Sequence, residues 1–297
     1  MIATIKNISA LGLIASSLLS CRNGNDKADG YGNFEATEIT VSAENNGKLE
    51  MFNIEEGQQL EKDFFIGYID TIPLSLKHEQ LKISKDVTIS KSKGVLSQIN
   101  VLNAQLTTAK ITQKRIENLI KDKAATQKQL DDINGEINVI KQQILSIEIQ
   151  NTPVVNELKN IDVQIKQIED QINKSKITNP INGTVLIKYA EPNEITSFGK
   201  PLYKIADLNT MELRVYISET QLESVKIGQE VTVKIDSVNG LKSYKGTVAW
   251  VASEAEFTPK IIQTKDERVA LVYAVKINVQ NDGGLKIGMP AEMWLDH

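Results

Sequence analysis

"RIENLIKDKAATQKQLDD", Arg115 to Asp132, is the stretch whose reading decides the fold. On either side of it apolar residues return every three or four positions, the spacing of one buried helix face. Over KDKAAT the rhythm lapses, and it resumes in a new phase. Downstream the seam runs Leu130, Ile133, Ile137, Ile140, Ile144, Ile147, Asn151, Val154, Leu158, Ile161, Ile165, Ile168 and Ile172 without a slip. Upstream it reads Val95, Ile99, Leu102, Leu106, Ala109, Gln113, Ile116 and Ile120. Ten positions separate Ile120 from Leu130, which fits neither seam. If the two segments fold antiparallel, 120 faces 130, 116 faces 133, 113 faces 137 and 106 faces 144, pairs whose numbers add to 249 or 250. Alternating steps of three and four are those of a coiled coil. An α-hairpin is therefore expected over residues 71–178, with its tip near 122–126 and its turn at Ala124-Ala125.

The first arm is expected to start after Thr71 and Pro73, both common at helix starts, and the second to end near Lys176. Arms of roughly 48 residues at about 1.5 Å per residue make a rod about 70 Å long. Each buried Ile or Leu of the seam contributes about 1.5–3 kcal/mol, enough together to fasten the arms. Pro153 interrupts the backbone bonding of a helix at about 3 kcal/mol. The seam nevertheless keeps its phase through it, so Pro153 reads as a kink in a continuing helix. Its level on the other arm lies next to Gly94, which makes this height a candidate flexible joint.

The segments flanking the hairpin resemble each other. "NGKLEMFNIEEGQQLEKDFFIGYID" (46–70) and "NGTVLIKYAEPNEITSFGKPLYKIA" (182–206) align without gaps at an offset of 136. Gly47 matches Gly183, Leu49 matches Val185, Asp63 matches Gly199, Ile66 matches Leu202 and Ile69 matches Ile205. Two β repeats this short bury a core together but not singly. The hairpin thus reads as an insertion between the halves of one small β domain, 36–70 and 180–207. Farther on, MELRVYIS, QEVTVKID, YKGTVAWVA, LVYAVKINV and AEMWLD alternate apolar and polar residues between Gly-containing turns, the pattern of a small β-barrel over 208–297. ETQLESVKIG reads as one short helix among them.

The remaining features bound the function. The 297 residues carry a net charge of −4 and 5% aromatics, which suits solvated helices and small β modules and gives no reason to expect nucleic acid. Residues 1–20 form a signal peptide that ends in Leu18-Leu19-Ser20 before Cys21, the one cysteine of the chain. Cys21 is the expected lipid attachment site, and 21–35 the lipid-anchored linker. Acyl chains at about 0.8 kcal/mol per buried CH₂ would hold the protein on a membrane. No later stretch approaches the apolar length of a membrane span. The two histidines, His78 and His297, lie far apart in sequence, and there is no Cys/His cluster, phosphate loop or nucleophile motif. Neither metal nor cofactor is expected, and the protein is not read as an enzyme.

The paired half-motifs EEGQQLEKDFFIGYID and PINGTVL…EPNE…GKPLYKIADL, split by a hairpin and followed by β strands, resemble the HlyD-like periplasmic adaptors, also called membrane fusion proteins. The resemblance covers about residues 36–297. It implies an elongated α+β fold: an antiparallel coiled-coil α-hairpin inserted in a split lipoyl-like domain, then a β-barrel. Asp63 departs from the glycine usual at its turn. In the family the hairpin end contacts a TolC-like outer-membrane channel through an Arg, a Leu four residues on and a Ser seven further. Arg115, Leu119 and Thr126 stand at those positions: a guanidinium fork, an apolar knob and a small hydroxyl. Read without the family, the same residues are a solvated arginine, a seam neighbour and a helix N-cap.

The resemblance further implies a periplasmic protein of a Gram-negative bacterium, anchored to the inner membrane by lipid and self-associated as a hexameric ring. Its partners would be an inner-membrane exporter and the outer-membrane channel. EAEFTPKIIQTKDERVALVYAVKI resembles the barrel of the branch that works with ATP-binding-cassette (ABC) exporters, which points to an ABC permease over a proton-driven pump. Two other readings stay open: an envelope lipoprotein whose coiled coil binds a different protein, and a carrier domain with a covalent cofactor. The carrier reading is disfavoured because the separated halves leave no intact hairpin tip for a modified lysine.

Overall fold

The computed structural model describes residues 27–238, 240–257 and 271–295. The chain divides into two compact units, one of Ile39–Ile205 and one of the residues up to Glu38 with those from Ala206 onward. The first strand, β1 (Gly30–Glu35), belongs to the second unit. The first unit contains β2 (Glu38–Ser42), β3 (Gly47–Phe52), β4 (Gln59–Leu60) and β5 (Phe65–Ile69), then helices α1 (Ile72–Lys121) and α2 (Gln127–Lys174). It closes with β6 (Lys176–Thr178), β7 (Gly183–Lys188), β8 (Ile195–Thr196) and β9 (Pro201–Ala206).

The offset of 136 is realised residue by residue. β3 maps onto β7, β4 onto β8 and β5 onto β9, and β6 onto the end of β2. The strands form two four-stranded sheets, β2-β9-β7-β4 and β6-β5-β3-β8. Each sheet therefore takes strands from both repeats. The exchange is reciprocal at the level of single bonds: Gly57 N donates to Val185 O at 2.8 Å and Asn193 N to Leu49 O at 2.7 Å. Likewise Asp63 N donates to Asn179 O at 2.7 Å and Gly199 N to Ala43 O at 2.8 Å. Leu49, Val185, Ile66, Leu202, Ile69 and Ile205 are buried in one shared core. Neither half can close that core alone, which is why both must be present for either to fold.

The turn that carries Asp63 keeps its geometry without glycine. Asp63 has φ 63° and its counterpart Gly199 φ 82°, both in the left-handed region. Aspartate is among the few side chains that visit it routinely.

The helices leave and re-enter the sandwich side by side. Asp70 Oδ1 accepts from Ile72 N at 2.9 Å at the start of α1, whose first turn holds Pro73. Asn45 Nδ2 donates to Gln171 O and to Ser175 Oγ at the end of α2, and Ile69 N donates to Ser175 O. Next to this root Asn179 is fully buried, and its amide donates to Glu61 O and Ile181 O. Tyr203 donates its hydroxyl to Asn179 Oδ1 at 2.9 Å. Burial raises the Tyr203 phenol well above the usual tyrosine range, so it acts as a permanent donor.

α1 and α2 pair antiparallel along their length. Ala109, Ile133, Ile137 and Ile140 are buried against each other, with Leu102, Leu106, Ile116, Leu130 and Ile144 packed around them. Val95, Ile120 and Ile147 are half-buried on the same seam, and Ile99 is buried. Both helices run unbroken through Gly94 and Pro153. At this height the seam is polar: Ser92 Oγ donates to Asn151 Oδ1 at 3.2 Å. The seam of α1 also extends beyond Val95 to the root through Thr88, Lys85, Leu81, His78 and Leu74, all buried or half-buried. Its polar members, Thr88, Lys85 and His78, interrupt the apolar spacing.

The second unit adds to β1 the strands β10 (Thr210–Ile217), β11 (Glu230–Ser237), β12 (Gly240–Val251), β13 (Glu256–Phe257), β14 (Leu271–Gln280) and β15 (Pro290–Trp294), with a short helix α3 (Glu219–Leu222). The sheet order is β10-β1-β15-β11-β12-β14-β13, and β10 also pairs with β14, closing a barrel. Alternate residues of β10, Met211, Leu213, Val215 and Ile217, fill its interior with Phe34, Val233 and Ile277. The linker expected over 21–35 is corrected here: residues 30–35 are a barrel strand between β10 and β15. Their segment, GYGNFE, has a single large apolar side chain facing the core. Gly32 is required because a Cβ there would stand 1.8 Å from Arg214 O. Cys21 and the signal peptide lie outside the described residues.

Candidate functional site at the hairpin tip

Five residues, Asp122 to Thr126, join the two helices. α1 ends in a Schellman motif: Ala124 N donates to Leu119 O at 2.7 Å and Lys123 N to Ile120 O at 3.0 Å. The residue in the left-handed region is Lys123, at φ 59°, where glycine is usual. The turn expected at Ala124-Ala125 is therefore made one residue earlier. Without a Gly or Asn, nothing in the sequence marks that position.

α2 opens on a capping box. Gln129 N donates to Thr126 Oγ1 at 3.4 Å, and Thr126 N donates to Gln129 Oε1 at 2.9 Å. The Thr126 hydroxyl also donates to Gln129 Oε1 at 3.1 Å. The spacing Thr126-x-x-Gln129 is the signature of this box, so Gln129 was readable from the sequence as the partner of Thr126. Its consequence is that the hydroxyl holds the helix start together and has little left to offer a partner.

Arg115 and Leu119 stand one turn apart on α1, next to the seam residues Ile116 and Ile120. Leu119 is 39% exposed although it is a large apolar residue. Arg115 is exposed, and its side chain makes no hydrogen bond or ion pair among the described residues. A free guanidinium beside an exposed leucine is a pair without an internal structural task, whereas Thr126 has one. The structure thus brings the three residues to one end of the hairpin but separates them by what they already bind. Among the described residues no group of three or more His, Cys, Asp or Glu could hold a metal. No helix there is long and apolar enough to cross a membrane.

No family model matches the chain. It is 24% identical to a UPF0194 membrane protein of Acidithiobacillus ferridurans, over 97% of this chain and 93% of that one. Among solved structures it is similar to MacA of Actinobacillus actinomycetemcomitans, with a TM-score of 0.58 and 22% identity over 89% of this chain and 76% of that one. It is also similar to the membrane fusion protein Spr0693 of Streptococcus pneumoniae R6, with a TM-score of 0.51 and 14% identity over 90% of this chain and 97% of that one. The chain accordingly has the fold of the membrane fusion proteins, as its sequence resemblance to the HlyD-like periplasmic adaptors implied, and is similar over nearly its whole length to a UPF0194 membrane protein.

Proposed function

We propose that this chain is the periplasmic adaptor of a tripartite export system, linking an inner-membrane exporter of the ABC type to a TolC-like outer-membrane channel. The observation that carries this reading is the hairpin tip. A long two-helix arm, rooted by hydrogen bonds in a small sandwich, ends in a free guanidinium and a solvent-exposed leucine. Arg115 would offer its planar fork to carboxylates or carbonyls of the channel end. Leu119 would enter an apolar gap between channel helices. Thr126 supports the site from behind by holding the start of α2, and its methyl and remaining lone pair border the contact.

In this reading Cys21 carries the lipid, the protein sits in the periplasm on the inner membrane, and copies assemble as a hexameric ring. Catalysis is not part of it: the exporter supplies the energy, and the adaptor aligns and seals the conduit. Support for the ABC partner comes from the resemblance of the segment EAEFTPKIIQTKDERVALVYAVKI to the barrel of the ABC-associated branch.

The test is export in cells carrying Arg115→Asp or Leu119→Asp. Both positions are exposed, so the variants should fold as the parent does, by circular dichroism, and lose export and tip-to-channel cross-linking. Full export in both would remove the tip from the mechanism and favour an envelope lipoprotein that binds a different protein.

A further inference from the structure

The outer face of the barrel is hollowed where β10, β1, β15 and β11 lie side by side. Alternate residues of these strands fill the interior, and the others point outward. Tyr31, Asn33 and Glu35 of β1 stand on the outer face, with Tyr216 opposite Tyr31 and Arg214 opposite Asn33 on β10. Lys234 and Asp236 of β11 form the far wall with Leu241, which pairs with Asp236 at the start of β12. The space they border is about 440 Å³, within the range of about 300–1,000 Å³ in which proteins hold small molecules. Tyr31 is 43% and Leu241 52% exposed, so both leave apolar surface open to it.

The charges around this hollow are unequally spent. Arg214 Nη2 donates to both carboxylate oxygens of Glu256, at 3.0 and 3.1 Å. Glu35 reaches the same guanidinium by charge alone, so two carboxylates share one arginine. Lys234 lays its ammonium 3.9 Å from the centre of the Trp294 ring. The indole N–H of Trp294 donates to Glu292 Oε2 at 3.1 Å, and Glu292 sits across the strands from Lys234. Among the described residues the carboxylate of Asp236, the side-chain amide of Asn33 and the hydroxyl of Tyr31 make no hydrogen bond or ion pair. Glu35, Asp236, Glu256 and Glu292 thus stand against Arg214 and Lys234, and both cations are engaged. What is left over is negative and aromatic.

We propose that this hollow binds an organic cation, a quaternary or protonated centre carried on an apolar body. Glu35 and Asp236 flank the hollow on either side of β15 and would hold the charge between them. The Tyr31 ring would offer its face to the same charge, and the body would lie on Leu241 and Pro290. An anion of the same shape would meet the excess of carboxylates, which is the basis of selection. All of these residues belong to the barrel, so the inference does not depend on the adaptor reading. The cation could reach the site as cargo of an export system or as an effector; the chemistry is the same for both.

The purified full chain in detergent is titrated by calorimetry with tetraphenylphosphonium and with tetraphenylborate, an anion of the same shape, against protein-free micelles. The phosphonium should bind once per chain and about tenfold or more tighter than the borate. Glu35→Gln combined with Asp236→Asn should weaken it by about tenfold, and Tyr31→Ala should weaken it less. All three positions are exposed, so circular dichroism should not change. No binding, equal binding of the two ions, or full affinity in the charge-neutralised variant overturns the site, and none of these touches the adaptor reading. Efflux of tetraphenylphosphonium from cells then separates the sources. Efflux lost in the charge-neutralised variant supports the site as one for cargo, and efflux kept while binding is lost supports it as one for an effector.

Discussion

The two ends of the hairpin are built from the same heptad but filled differently. Toward the tip, from Ile99 to Ile147, the facing positions are almost all Ile, Leu or Ala, and four of them form a buried cluster. Toward the root, α1 contributes His78, Lys85, Thr88 and Ser92 to the seam, facing the isoleucines and acids of α2. There Lys85 pairs with Asp162, and His78 Nε2 lies 3.2 Å from Glu169 Oε1. Both lysine and acid are well solvated, so such pairs fix register and add little stability. The root does not need more, because strands β5 and β6 and the Asn45 and Ser175 bonds hold it to the sandwich. The tip has no such neighbour. It stays paired through apolar burial within the hairpin and a hydrogen bond across it from Gln113 Nε2 to Asn134 Oδ1 at 2.6 Å, and the docking surface proposed there would need that stiffness.

The strongest way to break this contrast is Ile137→Ala. It opens a cavity in the tip cluster and should cost about 3 kcal/mol. Amide hydrogen exchange near the tip should quicken about a hundredfold while the root stays protected. Exchange that quickens equally at both ends would mean that the halves do not differ. Next in size is Thr126→Ala, which removes a capping box and should cost about 1 kcal/mol. Faster exchange confined to the first turn of α2, together with partial loss of export, would fit a supporting role. Of similar size and opposite sign is Thr88→Val at the root. Thr88 is 5% exposed, and its hydroxyl is spent on Ser84 O at 3.0 Å within its own helix. An apolar replacement should raise root protection by about 1 kcal/mol. The smallest effect is expected from Lys85→Ala combined with Asp162→Ala. The melting temperature should not move measurably, and a clear drop would show that the root seam depends on its ion pair.

How much of this was legible depends on the kind of signal. The hairpin and its approximate turn were readable because helical burial repeats within a few residues. The sandwich was readable because its two halves share a pattern at one offset, down to Asp63 in the place of Gly199. The root seam of α1 was not, because a lysine and a histidine on an apolar seam look like breaks until the opposite arm supplies their partners. Strand β1 was not either: GYGNFE becomes a strand only between β10 and β15. At the tip, Thr126 fits both a docking motif and a capping box, and only the hydrogen bonds to Gln129 show which task its hydroxyl performs.

By itself the order of residues determined the local periodicities, the repeat and the place where the chain reverses, since each depends on neighbours in sequence. Tertiary structure decided which half supplies which strand to the sandwich and that residues 30–35 close the barrel. Those outcomes depend on hydrogen bonds between residues more than a hundred positions apart. A donor is spoken for or left over only once the chain has brought its acceptor to it.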